Sequence, residues 1–278
     1  MFVLSCKSTL FSNNSYLCLL LLITMCPLVL EESHWKEVSV QSYRTALLPW
    51  GATEAHNYHL PYGTDTFLSA HVAAEAAKYA WERGTQSVVL PAMAYGVNSG
   101  QMEVKLCMNM HPSTQLTVLD NIVEVLLKAR IPRLIIVNGH GGNQFQPLIR
   151  ELSVKYPDML MANINWWVAA KAADYFREPG DHAGALETAA MQAIHPDLVL
   201  PLELAGTGAE RLLKAKGFRE KWAWTPRRWV LITKDTGVGN PSEATAEQGV
   251  RFLKACVEHI GDFIVDFSRA DKEEDLYE

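Results

Sequence analysis

The sequence predicts a single α/β domain with a mostly parallel sheet and helices on both faces. From Trp35 onward, short apolar runs alternate with helix-period patterns, as expected for repeated strand–helix units. Residues 134–137 are apolar throughout, which is typical of a strand covered on both faces. Of the 278 residues, 49% are hydrophobic and 20% are charged, an ordinary globular composition. A chain of this size buries a substantial core.

The strands and helices follow one another in a regular order. Apolar runs predict strands at residues 46–50, 87–90, 134–137, 160–164 and 228–233. Apolar residues spaced by three and four predict helices at residues 65–81 and 113–129, and a last helix whose apolar positions run from Val250 to Phe267. Ser113 or Thr114 is expected to cap the second helix. For the last helix, Asn240, Pro241 and Glu243 are expected to supply the N-cap, the first-turn proline and the capping-box acid.

Charge and cysteine content exclude several classes of protein. The 25 Lys and Arg residues face 31 Asp and Glu residues, so the formal charge is −6, and the chain has no basic block. An acidic surface repels phosphate backbones, which argues against a nucleic-acid partner. Five cysteines are too few for a disulfide-stapled secreted fold. Cys107 and Cys256 stand alone in the sequence and are expected to be packing residues.

Residues 1–30 differ from the rest and are interpreted as an apolar leader, followed by a catalytic domain at residues 31–278. The leader carries one charge, Lys7, and ends in an apolar run of 15 residues. A membrane span needs roughly 20 residues, so no stable span is expected. The run has the length of a signal-peptide core but lacks an A-x-A-like cleavage site. Translation from Met25 is the alternative. A cytoplasmic location is favoured, with export if the leader is a genuine signal peptide.

Three polar motifs follow predicted strands or open a helix. The first, residues 50–65, contains Glu54, His56, His59 and Asp65 within twelve residues. Alternate residues of an extended segment share one side, so Glu54 and His56 can reach one ion together. Asp65 has a second interpretation as the N-cap of the next helix, and His59 as a structural histidine.

The second motif is N-G-H-G-G-N at residues 138–143, directly after the apolar strand. Its glycines permit close approach of a ligand to His140, although a lone histidine in a turn is more often structural. The third motif is G-D-H-A-G-A-L-E-T-A at residues 180–189. A helix pattern begins near Ala183, which places His182 at its entry and Glu187 about one turn further on.

Together the motifs offer imidazole and carboxylate groups without thiolate. This donor set suits Zn²⁺ or Mn²⁺, with Fe or Mg as alternatives. The sequence has no G-x-S-x-G nucleophile elbow and no P-loop. Metal-assisted hydrolysis is therefore the predicted chemistry.

The motifs T-E-A-H-x-x-H-L-P-x-G-T-D, N-G-H-G-G-N and H-A-G-x-x-E-T, in this order, resemble the signature of the creatininase family. Residues 237–249 are similar to the closing segment of that family, and the resemblance spans roughly residues 35–265. It implies a three-layer α/β/α fold, usually assembled into hexamers, with two divalent metal ions. It also implies hydrolysis of a non-peptide C–N amide bond in a small cyclic or formyl substrate.

The resemblance implies a role for each motif residue. Glu54, Asp65 and His140 would hold one metal ion. His56, Asp65 and Glu187 would hold the other, so Asp65 would bridge the two. His182 would shuttle the proton to the leaving nitrogen, and with Glu187 it forms the expected catalytic pair. His59 and Asn138 would orient the metal-binding side chains without binding a metal ion themselves.

One departure from the family pattern affects the substrate. Members that act on creatinine carry an acidic residue where this sequence has Gly142. The acidic ligand must then come from Glu187, which puts creatinine in doubt. A formamide deformylase, a peptide-trimming amidase and a non-catalytic metal-containing binding protein are the alternatives.

Several aromatic residues have two interpretations. Trp166, Trp167 and Tyr95 follow predicted strands and belong either to the substrate pocket or to a core or subunit contact. Trp222, Trp224 and Trp229 lie near Arg227 and Arg228 and are predicted to form a surface or subunit contact.

Overall fold

The computed structural model describes residues 27–278. Most of the predicted leader therefore lies outside the described residues. Its last four residues pack against the edge of the sheet. The Tyr43 hydroxyl donates a hydrogen bond to the Pro27 carbonyl oxygen over 2.6 Å, and the Val89 amide donates to the Leu28 carbonyl over 2.7 Å.

A four-stranded, fully parallel sheet forms the centre of the fold. The strands are β1 (Thr45–Trp50), β2 (Ser87–Val89), β3 (Arg133–Asn138) and β4 (Leu160–Asn165). Their spatial order is β2-β1-β3-β4. In register, Trp50 pairs with Asn138, and Asn138 pairs with Asn165. The carboxyl ends of three strands therefore meet at one edge of the sheet, where ligands of such folds bind.

Eight α-helices occur among residues 27–278. They are α1 (Trp35–Val38), α2 (Thr64–Trp81), α3 (Pro112–Lys128), α4 (Phe145–Lys155), α5 (Ala185–Ile194), α6 (Lys216–Arg219), α7 (Trp229–Ile232) and α8 (Ala246–Phe267). The sequence patterns above do not predict α4. No helix in this part of the chain has the length and apolar character needed to cross a membrane.

The sheet separates two apolar cores, so the fold has three layers. Because side chains alternate along a strand, Leu47 and Ile135 face one side while Leu48 and Ile136 face the other. The first side packs against α2, α5 and α8, and the second packs against α3 and α4. The predicted α/β/α arrangement is confirmed.

The strand predicted at residues 228–233 is wrong. Those residues form the short helix α7, in which Trp229 and Ile232 are buried while Val230 and Leu231 are exposed. Burial at a spacing of three fits one helical turn rather than an alternating strand. The Trp229 amide also donates to the Gly100 carbonyl at 2.8 Å, which fixes the turn against a neighbouring loop.

The predicted helix caps at Asn240 and at Ser113 or Thr114 are also wrong. Helix α8 begins at Ala246, and Thr245 and Gln248 form a reciprocal capping box. The Asn240 side chain instead accepts from the Ser242 amide in a local turn. Helix α3 begins at Pro112 after His111, because proline at the first helical position already has helical φ.

A glycine sets the distance between α8 and α5. A β-carbon at Gly249 would lie 1.9 Å from the Ala189 carbonyl oxygen. Alanine favours a helix over glycine by about 0.5–1 kcal/mol, but overpacking costs about 1–3 kcal/mol. We expect Gly249→Ala to lower the free energy of unfolding by at least about 1 kcal/mol, measured by urea denaturation. The exposed control Lys254→Ala should change it by less than about 0.5 kcal/mol. A stabilised Gly249→Ala variant would contradict this packing.

Candidate metal centre

The loop after β1 and the first turn of α2 bring three buried polar side chains to the edge of the sheet. Glu54, His56 and Asp65 are each no more than 2% exposed. The N-cap of α2 is Gly63 rather than Asp65. The Asp65 carboxylate instead lies 2.9 Å from His56 Nε2 through Oδ1 and 3.1 Å from His140 Nδ1 through Oδ2. The Asp65 carboxylate therefore contacts two imidazoles and does not cap the helix.

The loop after β3 supplies His140, and Asn138 holds it in place. The Asn138 side chain accepts from the His140 amide at 3.1 Å and donates to the His140 carbonyl at 3.0 Å. Asn143 donates to the same Asn138 oxygen at 3.0 Å. His140 Nδ1 then lies 3.0 Å from Glu54 Oε1. Asn138 therefore holds the backbone of His140 in place.

The third motif reaches the same point from a different part of the chain. An antiparallel bridge between His182 and Val238 anchors it. Ala183 then adopts φ of 51°, an unusual backbone conformation for a residue other than glycine. Its amide donates to Glu187 Oε2 at 2.6 Å. This turn directs Glu187, from the first turn of α5, toward His56 Nε2 at 4.0 Å.

Each of the three histidines has one ring nitrogen near a backbone carbonyl oxygen. His56 Nδ1 lies 3.1 Å from the Glu54 carbonyl, His140 Nε2 lies 3.1 Å from the Val97 carbonyl, and His182 Nε2 lies 2.8 Å from the Ala55 carbonyl. A ring nitrogen donates to such an oxygen, so the other nitrogen of each ring faces the carboxylates. Metal-ligating histidines are fixed in this way.

The side chains form three overlapping groups with the spacing of metal ligands. One group is Glu54, Asp65 and His140, the second is His56, Asp65 and Glu187, and the third is Glu54, His56 and His182. Within each group, the candidate ligand atoms lie within 4.8 Å of one another. Buried Asp65 Oδ2 accepts no well-formed hydrogen bond from the described residues. A carboxylate oxygen in this position fits a divalent cation.

The carboxylates also draw protons onto His56 and His140. Burial alone would lower the pKa of His56, but Asp65, Glu187 and Glu54 outweigh it and raise this pKa to about 10. Glu54 and Asp65 likewise raise the pKa of buried His140 well above its usual value. Burial favours a higher pKa for Asp65, yet the two imidazoles hold it below the usual range. A divalent cation would supply this positive charge instead and release the protons.

His59 lies outside this cluster and supports it indirectly. Its Nε2 lies 2.8 Å from the Thr188 hydroxyl, so it ties the loop after β1 to the helix that carries Glu187. Burial, and then the charge of His56, lowers the pKa of His59 to about 4. A neutral His59 therefore links two elements of the site.

The structure adds two residues that the motifs do not indicate. Gln101 is 4% exposed, and its side-chain amide donates to Glu54 Oε2. Cys107 donates to Gln101 Oε1 over 3.4 Å, and burial raises the pKa of its thiol, so it is a neutral neighbour of the site. Trp229, predicted to form a surface or subunit contact, is buried within the chain, with its ring centroid 5.3 Å from that of His182. Gln101 lies in a segment for which no element is predicted, and Trp229 lies in the segment wrongly predicted as a strand.

A cleft of about 840 Å³ opens above these side chains. Trp167 lines it, whereas Trp166 is buried and packs on Phe252 in the core. Tyr95 is half exposed and does not line the cleft. Trp222 and Trp224, predicted to form a surface or subunit contact, are largely exposed, and Trp224 also lines the cleft. The cleft falls within the usual range of ligand pockets, roughly 300–1,000 Å³.

Gly142 leaves no room for a side chain. A β-carbon there would lie 2.3 Å from the Val97 carbonyl oxygen and 2.4 Å from His140 Nε2. These are the two atoms of the contact that fixes the His140 ring. An acidic residue therefore does not fit at this position in the observed loop, and Glu187 approaches the cluster from α5 instead.

Comparison with known proteins gives one consistent family. The chain matches the Creatininase family model, described as creatinine amidohydrolase, over residues 31–264. The mycofactocin precursor peptide peptidase of Mycobacterium ulcerans (strain Agy99) is 30% identical over 232 residues, covering 78% of this chain and 83% of the relative. The creatinine amidohydrolase of Pseudomonas putida is 24% identical over 263 residues, covering 84% and 94%.

Solved structures share the fold. A crystal structure from Bacteroides fragilis NCTC 9343, provisionally described as a creatinine amidohydrolase, is 40% identical with a TM-score of 0.85, covering 90% of this chain and 98% of the other. A manganese creatininase is 22% identical with a TM-score of 0.71, covering 85% and 97%. A mutant creatininase of Zn-Zn type is 23% identical with a TM-score of 0.70, covering 85% and 96%.

The two glycines after His140 provide a matched test of the loop. We expect Gly142→Ala to displace the His140 ring and to lower bound Mn²⁺ or Zn²⁺ at least several-fold, measured by elemental analysis after loading and desalting. A β-carbon at Gly141 meets nothing within 4 Å, so Gly141→Ala should bind metal as the parent does. Equal metal content in the two variants would contradict the role given to this contact.

Proposed function

Because this chain belongs to the creatininase family, we propose that it is a dinuclear metal-dependent amidohydrolase that cleaves a C–N amide bond of a small substrate. The observation that carries the proposal is the Asp65 carboxylate, whose two oxygens face two different groups of candidate ligands. A bridging carboxylate of this kind is what a two-metal site requires.

Two ligand sets follow from the donor groups. Glu54, Asp65 and His140 would hold one ion, and His56, Asp65 and Glu187 would hold the other. Oxygen and imidazole donors without thiolate suit Zn²⁺ or Mn²⁺, and creatininase structures include a zinc form and a manganese form. When bound, the ions would polarise the amide carbonyl and lower the pKa of a water molecule.

The protein's own residues would place and move the proton. His182 Nε2 is committed to the Ala55 carbonyl, so its Nδ1 faces the site, 3.5 Å from Glu54 Oε1. The Trp229 ring packs edge-on against the His182 imidazole and keeps it in this orientation. His182 would accept a proton from the attacking water and deliver it to the leaving nitrogen. Gln101 would hold the second oxygen of Glu54 in place.

The proposed substrate is a small amide, and the bond that is cleaved belongs either to a peptide or to a non-peptide amide. An acidic residue does not fit at Gly142, which disfavours creatinine, and the cleft of about 840 Å³ is larger than a small cyclic amide requires. Relatives at 30% identity are named as peptide peptidases, so we widen the expected non-peptide bond to include a peptide amide. A formamide substrate is the alternative within the same chemistry.

We propose residues 31–278 as the catalytic domain and a homo-oligomer as its working state, with a hexamer by family analogy. Exposed large apolar residues support subunit contacts, among them Leu204, Leu212, Trp222, Trp224 and Leu231. Light scattering of the purified protein gives the assembly directly, and a monomeric mass would contradict this part of the proposal.

Removal of a proposed ligand should remove both metal and activity. We expect Glu54→Gln and His140→Ala to lower bound metal at least several-fold and to reduce amide hydrolysis by a factor of at least about 10³, with the circular dichroism spectrum unchanged. The exposed controls Glu178→Gln and His34→Ala should match the parent. The assay uses a panel of formamides, cyclic amides and short peptides. Full activity in metal-free protein would overturn the mechanism.

His182→Ala separates catalysis from metal binding. Because the proposal gives His182 a proton-transfer role, we expect a 10²–10⁴-fold loss of kcat with the metal content unchanged. The opposite outcome is that the parent hydrolyses no amide and that His182→Ala binds the ligand as well as the parent does. The protein would then be a metal-containing binding protein.

A further inference from the structure

The walls of the cleft contain one permanent positive charge. Among the described residues that line the cleft, Arg227 is the only Lys or Arg. The other charged groups on its walls and floor are the carboxylates of Glu54, Asp65, Asp181 and Glu187, together with three histidines. A guanidinium in this setting is suited to an anionic part of the substrate.

Arg227 and its neighbour Arg228 differ in how many of their guanidinium N–H groups donate hydrogen bonds. Arg228 makes a two-pronged ion pair with Glu103, through Nε at 2.6 Å and Nη2 at 2.5 Å, outside the cleft. The Arg227 side chain donates a single hydrogen bond, from Nη1 to Asp181 Oδ2 at 2.8 Å. In the described part of the chain, Arg227 Nε and Nη2 donate to no other group. The edge of the guanidinium formed by Nε and Nη2 is therefore available to pair with a carboxylate through two hydrogen bonds.

Arg227 is held at a fixed place relative to the reaction centre. Its guanidinium carbon lies 4.6 Å from the centroid of the Trp229 ring, and the same ring packs against His182 at 5.3 Å. The buried Trp229 indole donates to the Thr236 carbonyl at 2.9 Å, which prevents rotation. The guanidinium thus lies within about 10 Å of the His182 ring. An extended chain covers that distance in about three residues.

We propose that Arg227 binds a carboxylate of the substrate, so that the enzyme acts on amides that carry a free carboxylate within about 10 Å of the scissile bond. The inference rests on the proposed amidohydrolase function, since it names the substrate class for that site. Asp181 competes for the same guanidinium and limits the affinity for the anion. Arg227 is a specificity-determining residue and takes no part in the chemical step.

The test compares acids with their neutral counterparts. The probes are N-acetylglycine, N-acetylglycylglycine and the two corresponding carboxamides, titrated calorimetrically into the Mn²⁺-loaded protein. We expect at least one acid to bind the parent about tenfold more tightly than its carboxamide, as a charge-assisted hydrogen bond provides. Arg227→Gln should abolish that preference, and Arg228→Gln should retain it.

A second variant is expected to raise the affinity for the acid, whereas Arg227→Gln should lower it. Asp181→Asn removes the competing carboxylate, so the acid should bind several-fold more tightly while the affinity for the carboxamide stays the same. Equal affinity of acid and carboxamide for the parent would overturn the proposal. So would a preference that persists in Arg227→Gln, because the carboxylate would then bind the metal ions. An unchanged acid affinity in Asp181→Asn would also count against it.

The outcomes separate this inference from the proposed function. Amide hydrolysis without any preference for acids would remove the role of Arg227 and leave the amidohydrolase proposal intact. A preference for acids in a protein that hydrolyses no amide in the panel would remove the enzymatic proposal and leave the carboxylate site.

Discussion

The site depends on one buried carboxylate that is shared between two imidazoles. Asp65 lies at the start of α2, and its two oxygens face His56 and His140, which come from different loops. The chain must bring the first turn of α2 against the ends of both β1 and β3 at the same time. Two glycines make this possible, because a β-carbon at Gly51 would lie 2.4 Å from the Thr66 amide and one at Gly139 would lie 2.3 Å from the Asp65 carbonyl.

The acidic group that completes the cluster comes from a third, independently anchored segment. The bridge between His182 and Val238 fixes the entry to α5, and the contact of His59 with Thr188 ties that helix to the loop after β1. Glu187 then approaches from a helix and not from the loop that carries His140. This arrangement suits the His140 loop, whose close contact with the Val97 carbonyl leaves position 142 without space for a side chain.

The sequence predicts the parts of this structure that depend on local patterns. Strands β1 and β3 are apolar runs, and the donor residues follow them directly, so their meeting at one sheet edge follows from the parallel topology. The segment at residues 228–233 has the same apolar character, but whether it pairs in a sheet depends on distant neighbours, and it forms a turn of helix on Gly100. Gln101 and Trp229 act through such tertiary contacts, which no periodicity encodes.

Backbone contacts hold together two segments that line the cleft. The loop at residues 97–101 and the segment at 227–229 meet through the hydrogen bond from the Trp229 amide to the Gly100 carbonyl, and a β-carbon at Gly100 would lie 2.1 Å from the Arg227 carbonyl oxygen. One loop supplies the Val97 carbonyl that orients His140, and the other supplies the indole that orients His182. A shift of either loop would therefore move His140, His182 and the cleft wall together, which would couple the proposed substrate selection to the geometry of the candidate metal site.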